Sequence, residues 1–254
     1  MKVIKKAVLS IGVALFWLAL WQAAAMIVGN PLILPTPVET LLRLFELAGE
    51  SSFWIFTALS LLRILIGILI AIPVAWLFAA LCSGSGIINA FFSPAVTLMK
   101  STPVVSFILI AIFLVDRHTI PSAITFMMVF PVLFENVREG ISQTPKQLLE
   151  MSDVFGISWI LKIKRIYIPA IKPFFFSALT TSVGLAVKAG VAAEVVAYIP
   201  DSIGKMLSDA KSYMEPADLL AWTVVIIAIS LITEMAVHLR LNHTKRRVTN
   251  ASDR

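Results

Sequence analysis

Four ionisable side chains stand inside stretches that are otherwise almost wholly apolar: Arg63, Lys100, Lys188 and Glu194. A charge held in hydrocarbon costs about 3 kcal/mol or more unless it pairs or meets water. Two chemistries answer that cost. The residues can form interhelical ion pairs, with Arg63 or Lys100 meeting Glu194, Glu135 or Glu234. Alternatively, Lys100 or Lys188 can line a wet path and attract an anionic or strongly polar solute. Lys188 and Glu194 lie about 9 Å apart along a helix and about 240° around it, so each needs a partner from elsewhere.

The remaining reactive residues point to no catalysis. Cys82 is the single cysteine, and His118, His238 and His243 lack metal-ligand spacing, so neither a redox motif nor a metal site is expected. No catalytic constellation or Walker-type glycine loop is present. If ATP drives the protein, another chain binds it.

The elements that must hold these charges are membrane helices. The chain has 254 residues, of which 59% are hydrophobic, and its mean hydropathy is +0.91. That composition predicts an all-α integral membrane protein, a single transmembrane domain over residues 1–254 with about six spans. Lys2, Lys5 and Lys6 precede an apolar run from Ala7 to Val28. Ala23 to Ala25 could suit a signal peptidase, but the run is longer than a signal-peptide core of about 7 to 15 residues, so it reads as an uncleaved first span. Leu34-Pro35-Thr36-Pro37 opens an amphipathic helix with Val38, Leu41, Leu42, Phe45 and Ala48 on one side and Glu39, Arg43, Glu46 and Glu50 on another. It is expected to lie along the outer membrane surface.

Phe53 to Leu81 forms the second span and holds Arg63. After the turn Ser83-Gly84-Ser85-Gly86, Ile87 to Val115 is long enough to cross, but Pro94 and Pro103 should break it around Lys100, Ser101 and Thr102. Such a broken segment is tolerated only against protein or a water-filled cavity, which makes it a candidate for the solute path. Ile120 to Asn136 is the fourth span. Ala170 to Ala197, rich in Gly, Ala, Ser and Thr, is the fifth, and its small residues predict a central helix. Tyr198 to Asp218 reads as a polar outer loop with a short helix, Leu219 to Leu241 as the last span, and Arg240 to Arg254 as a basic tail. With both termini in the cytoplasm, fourteen Lys and Arg fall inside and four outside, as the positive-inside rule requires. The net charge of +6 therefore belongs to topology, and no nucleic-acid partner is implied.

One polar interruption remains, Thr144 to Pro169. Thr144, Pro145 and Gln147 predict a capped helix from Pro145 to Phe155, with Gly156 supplying a left-handed turn. A second short helix from Ser158 should stop or bend at Pro169. Within this loop the order Glu150, Met151, Ser152, three residues, Gly156, nine residues, Ile166, Tyr167, Ile168, Pro169 resembles the signature loop of ABC importer permeases, Glu-Ala-Ala-x3-Gly-x9-Ile-x-Leu-Pro. Met151 and Ser152 replace the two alanines and Ile168 the leucine.

Shorter features over about residues 34 to 240 resemble the nitrate, taurine and sulfonate branch of that family. They are Leu34-Pro35-Thr36-Pro37, Ser60-Leu61-Leu62-Arg63, Lys100-Ser101-Thr102-Pro103 and Val191-Ala192-Ala193-Glu194. Val115-Asp116-Arg117-His118 stands where family members often have Phe-Gly-Ile-Gly, a departure that bears on substrate class.

The resemblance implies a type I importer permease with its transmembrane core at about 54–240, itself non-catalytic and binding no cofactor. ATP and magnesium would belong to a cytoplasmic ATPase dimer. Glu150, Met151, Ser152, Asp153, Val154, Phe155 and Gly156 would form the coupling helix that docks on it. A second permease copy in a homodimer, a solute-binding protein and membrane lipid would be the other partners, in the bacterial inner membrane. A secondary transporter would also need broken helices and buried charges, but not the Glu150 to Pro169 pattern, and no duplicated half is visible. An ion channel would need a selectivity-filter segment, which is not seen. A coupling subunit of an energy-coupling vitamin importer would be expected to carry Ala-Arg-Gly motifs, which are absent.

Overall fold

The computed structural model describes the backbone of residues 2–252 and the side chains of residue 9 and residues 12–237. The amino-terminal lysines, His238, His243 and the side chains of the basic tail lie outside that description. Every regular element among the described residues is helical. In chain order they are α1 (Lys2–Val28), α2 (Pro37–Ala48), α3 (Ser51–Gly84), α4 (Gly86–Ser101), α5 (Val104–Leu114), a 3-10 turn (Arg117–Thr119), α6 (Ile120–Ser142) and α7 (Lys146–Val154). There follow α8 (Trp159–Lys162), a π turn (Ile163–Tyr167), α9 (Ile168–Ala197), α10 (Ile203–Ser212) and α11 (Pro216–Ser252).

Among the described residues, four helices are long and apolar enough to cross a membrane: Ser51–Gly84, Arg117–Ser142, Trp159–Ala197 and Pro216–Val237. The pair α4 and α5 makes a fifth only if its 107° bend is taken as one broken span, and α1 contributes a shorter apolar stretch, Gly12–Val28. Against about six expected spans the described residues hold four or five, and the side chains of the first expected span, Ala7 to Val28, lie partly outside them. The break falls at Pro103 alone. Pro94 lies inside α4, which runs through it unbroken.

The core is formed by α3, α6 and α9. The buried side of α3 cannot be told from its lipid side by polarity, because both are apolar. It is marked instead by size: Gly67, Ala71, Ala75 and Ala79 recur every four residues, and the three alanines are fully buried. Against them pack Val129, Phe130, Leu133, Phe134 and Val137 of α6 and Ala178, Val183 and Ala186 of α9. The expectation of a central fifth helix holds, for small residues let these backbones approach. A Cβ added at Gly190 would stand 2.5 Å from Ile64 Cγ1 and 3.0 Å from Thr125 Oγ1. Gly184 is in contact with the end of the Glu234 side chain, which can swing away. Gly190→Leu should therefore lower the melting temperature of the purified protein, by about 1–3 kcal/mol of stability, and more than Gly184→Leu does. An unchanged melting curve for Gly190→Leu would rule out close packing there.

At one end of the bundle α2 is fixed by a reciprocal cap. The backbone N–H of Glu39 donates to Thr36 Oγ1 at 3.2 Å, and the Thr36 N–H donates to the Glu39 carboxylate at 2.7 Å. Arg43 then grips Asp218 at the start of α11 with two hydrogen bonds, 2.5 and 3.0 Å long. That turns Val38, Leu41, Leu42 and Phe45 outward, away from the bundle. The expected outer loop from Tyr198 is in part a packed helix, α10, with Ile203, Gly204 and Ala210 buried.

Two expectations about the Thr144–Pro169 loop need correcting. Thr144 does not cap α7: its hydroxyl donates back to the Gly140 carbonyl at 3.2 Å, and Pro145 takes the cap position without a side-chain bond. Pro169 does not stop a separate helix, because α8, the π turn and α9 run on as one rod from Trp159 to Ala197. The Ile168 N–H reaches the Ile163 carbonyl, five residues back, so the ladder widens just before the proline that cannot donate.

Candidate coupling loop and buried charges

The loop at one end of the bundle holds α7 in a fixed pose. Its last turn closes through two bonds, Ile157 N–H to the Ser152 carbonyl at 2.9 Å and Gly156 N–H to the Asp153 carbonyl at 3.0 Å. This double closure needs a left-handed residue, and Gly156 has φ +62°. Asp153 pairs with Lys162, tying α7 to α8. Ser152 is fully buried, with its hydroxyl donated to the Leu149 carbonyl at 2.6 Å, so of the seven expected coupling residues it faces the protein. Glu150, Met151, Asp153, Val154, Phe155 and Gly156 face outward, with Val154 84% and Phe155 74% exposed.

At the opposite end, Arg63 and Glu194 come together. Glu194 is fully buried and accepts from Ser60 Oγ at 2.7 Å, the Gly204 N–H at 3.2 Å and Arg63 Nη1 at 3.4 Å. Arg63, whose side chain is 12% exposed, also donates to the carbonyls of Pro200 and Asp201, both at 3.3 Å. Ser60 Oγ in turn accepts from the Ile203 N–H at 3.0 Å. One carboxylate thus joins α3, α9 and the start of α10. Sequence reasoning missed Ser60 and Gly204 as its partners. Nearby, Arg117 donates to the Ala197 and Tyr198 carbonyls at the end of α9, and Asp116 accepts from the His118 N–H at 3.0 Å. Arg117, one of the residues that depart from the family's glycine turn, therefore closes the carboxyl end of α9, where a cation is favoured.

Lys100 meets Glu135, donating to both oxygens at 2.7 and 2.8 Å in a pair 49% and 42% exposed. Eleven residues earlier on α4, Asn89 accepts from Arg138 at 2.5 Å. The two contacts are about 16 Å apart along α4 but only about 4.5 Å apart along α6, so α4 runs obliquely across α6. The 107° bend then lets α5 leave in a new direction.

Lys188 stands apart from the other three. It is exposed on a helix otherwise buried around it, in a stripe with Ser177, Thr181 and Leu185. Among the described residues no carboxylate pairs with it. It lies about 14 Å along the axis from the Ala197 end of α9.

Comparison with known proteins gives this arrangement its context. The putative aliphatic sulfonates transport permease protein of Bacillus subtilis (strain 168) is 24% identical over 225 residues, 87% of this chain and 81% of its own length. The taurine transport system permease protein of Escherichia coli (strain K12) is 23% identical over 252 residues, covering 96% of this chain and 90% of its own. Among solved structures, an amino acid ABC transporter determined with histidines superposes with a TM-score of 0.56 at 15% identity, over 76% of this chain and 92% of that one; this likeness shows the fold. Residues 64–247 match the family described as binding-protein-dependent transport system inner membrane component. Since that match takes in well over half of the sequence, the chain belongs to this family of ABC permeases, non-catalytic multi-pass subunits of the inner membrane that work with an ATPase and a solute-binding protein.

Proposed function

We propose that this permease imports a small anionic solute of the sulfonate class, with Lys188 lining the path and a second copy of the chain completing it. The observation that carries the reading is Lys188 itself, an ammonium within a span, exposed on one of the three core helices with no carboxylate partner among the described residues. A lysine in that position is stable only against water or an anion. The aliphatic-sulfonates and taurine permeases to which the chain is similar are named for solutes that each carry an anionic sulfonate group. In this reading the α7 end faces the cytoplasm and docks on the ATPase dimer, both termini lie inside, and the α10 end receives the binding protein. Arg63 and Glu194 act as a structural pair, and Lys100 with Glu135 as a second, wetter one.

The test is ATP-driven uptake of labelled taurine and a short alkanesulfonate by the reconstituted complex with its binding protein. At an effective dielectric constant of about 20, a lysine–anion contact at 4 Å is worth about 4 kcal/mol. Lys188→Met should therefore lower uptake at least about tenfold with subunit assembly intact, while Lys188→Arg retains it. Loss of transport in Lys100→Glu should be rescued by adding Glu135→Lys, as for a pair that acts through its mutual contact. Normal uptake by Lys188→Met would overturn the electrostatic path.

A further inference from the structure

A cavity of about 230 Å³ opens at the α7 end, walled by Trp76 and Ala80 of α3, Ile141 of α6, and Trp159, Ile163 and Ile171 of the rod. We propose that it binds an acyl chain of an anionic phospholipid, whose headgroup is held by Lys164 and Lys172. The inference goes beyond the solute reading and rests only on the placement of this chain in a membrane.

The first argument is shape. The wall on α3 runs from Gly84 at the loop end to Trp76, eight residues or about 12 Å toward the bundle interior. An apolar slot of that direction, entered from the end of the spans, suits an alkyl chain lying parallel to its neighbours. Tyr167, which also lines it, sets its ring edgewise to Trp159 at 5.9 Å, the kind of aromatic pair that sits at a membrane–water boundary.

Charge supplies the second argument. No Asp or Glu occurs between Asp153 and Glu194, whereas Lys162, Lys164, Arg165 and Lys172 fall in or next to the stretch of chain that supplies the cavity's rod residues, Trp159 to Ile171. Lys162 is engaged by Asp153. Lys164 and Lys172 are exposed. Lys164 lies one helical turn before Ile168, a cavity residue, and Lys172 one turn after it. An apolar slot flanked by two lysines, about 12 Å apart along the rod, discriminates for an anionic headgroup over a zwitterionic one, as basic pockets between spans do. Because one wall is the rod and another is α3, a bound chain would also brace the coupling loop against the bundle.

The assembled permease–ATPase complex, in nanodiscs of equal phosphatidylcholine and phosphatidylglycerol, tests this by native mass spectrometry of retained lipid. The wild type should retain phosphatidylglycerol preferentially. Lys164→Gln with Lys172→Gln should cut that preference at least about tenfold while leaving assembly intact. Ala80 is exposed to the cavity, so Ala80→Trp should fill it without disturbing the core and abolish retention of either lipid there. Equal retention of the two lipids by the wild type, or unchanged phosphatidylglycerol retention in Ala80→Trp, would overturn the proposal. Solute uptake is not the readout, so failure here is distinct from failure of the sulfonate reading.

Discussion

Glu194→Ala should be among the most destabilising single substitutions in this protein, at about 3–5 kcal/mol. The change removes the only anion, among the described residues, that pairs with a guanidinium whose side chain is 12% exposed. It also strips acceptors from Ser60 Oγ and from the Gly204 N–H, both held in the interior. Each orphaned donor adds a desolvation cost of about 1–3 kcal/mol, unless the loop moves and water enters. Glu194→Gln should be milder, since the amide oxygen can still accept from Ser60 or Gly204 and only the ionic contact with Arg63 is lost. Removing both charges, as Arg63→Met with Glu194→Gln, should recover part of the loss, because an unpaired buried cation is then avoided. Thermal unfolding of the purified protein in detergent reads all three. If Glu194→Ala melts with the wild type, the carboxylate does not hold α10 to the bundle. A solute-path role for Glu194 predicts the opposite pattern, with wild-type melting and lost uptake.

The contrast between this cluster and the loop shows where sequence suffices. The spans of α3, α6, α9 and α11 were legible because hydrocarbon demands long apolar runs, and the density of small residues in α9 was a direct sign of close packing. The left-handed turn at Gly156 was legible because few residues other than glycine tolerate that geometry. The environment of Glu194 was not. Ser60 lies 134 residues away and contributes one hydroxyl, and Gly204 contributes a backbone N–H that any residue type but proline possesses. A short helix was expected in the outer loop, but composition could not reveal that it packs, since nothing in its polar sequence shows that Ile203, Gly204 and Ala210 face the protein. Thr144 and Pro169 failed for a shared reason. Each has an alternative hydrogen-bond arrangement within its neighbouring helix, an i−4 carbonyl for the threonine and a widened turn before the proline, and local pattern cannot choose between them. Pro94 is tolerated within a helix that crosses α6 obliquely, and nothing in the sequence separates it from Pro103, where the chain turns by 107°.

Gly156→Val should leave the chain inserted and folded yet abolish ATP-driven transport. In the proposed coupling role, α7 receives the movement of the ATPase through its outward face, where Val154 and Phe155 project as apolar knobs. The movement must then reach the spans. It can do so because Gly156 leads through Ile157 and Ser158 directly into the rod, which continues without a break from Trp159 past Lys188 to Ala197. A displacement at the loop is therefore delivered to the helix that carries the proposed path lysine. The left-handed turn sets the angle between α7 and the rod, and a β-branched residue at φ +62° costs about 1–2 kcal/mol and drives the backbone out of that region. A Cβ at this position would meet nothing within 4 Å, so valine acts through backbone conformation rather than through a clash. Gly156→Asn supplies the control, because asparagine tolerates the left-handed region and should retain most transport. Phe155→Ala keeps the turn and removes a large apolar contact, so it should weaken copurification of the ATPase while leaving the melting temperature of the isolated permease unchanged. Wild-type uptake by Gly156→Val, or equal loss in the valine and asparagine variants, would show that the turn geometry does not transmit the stroke.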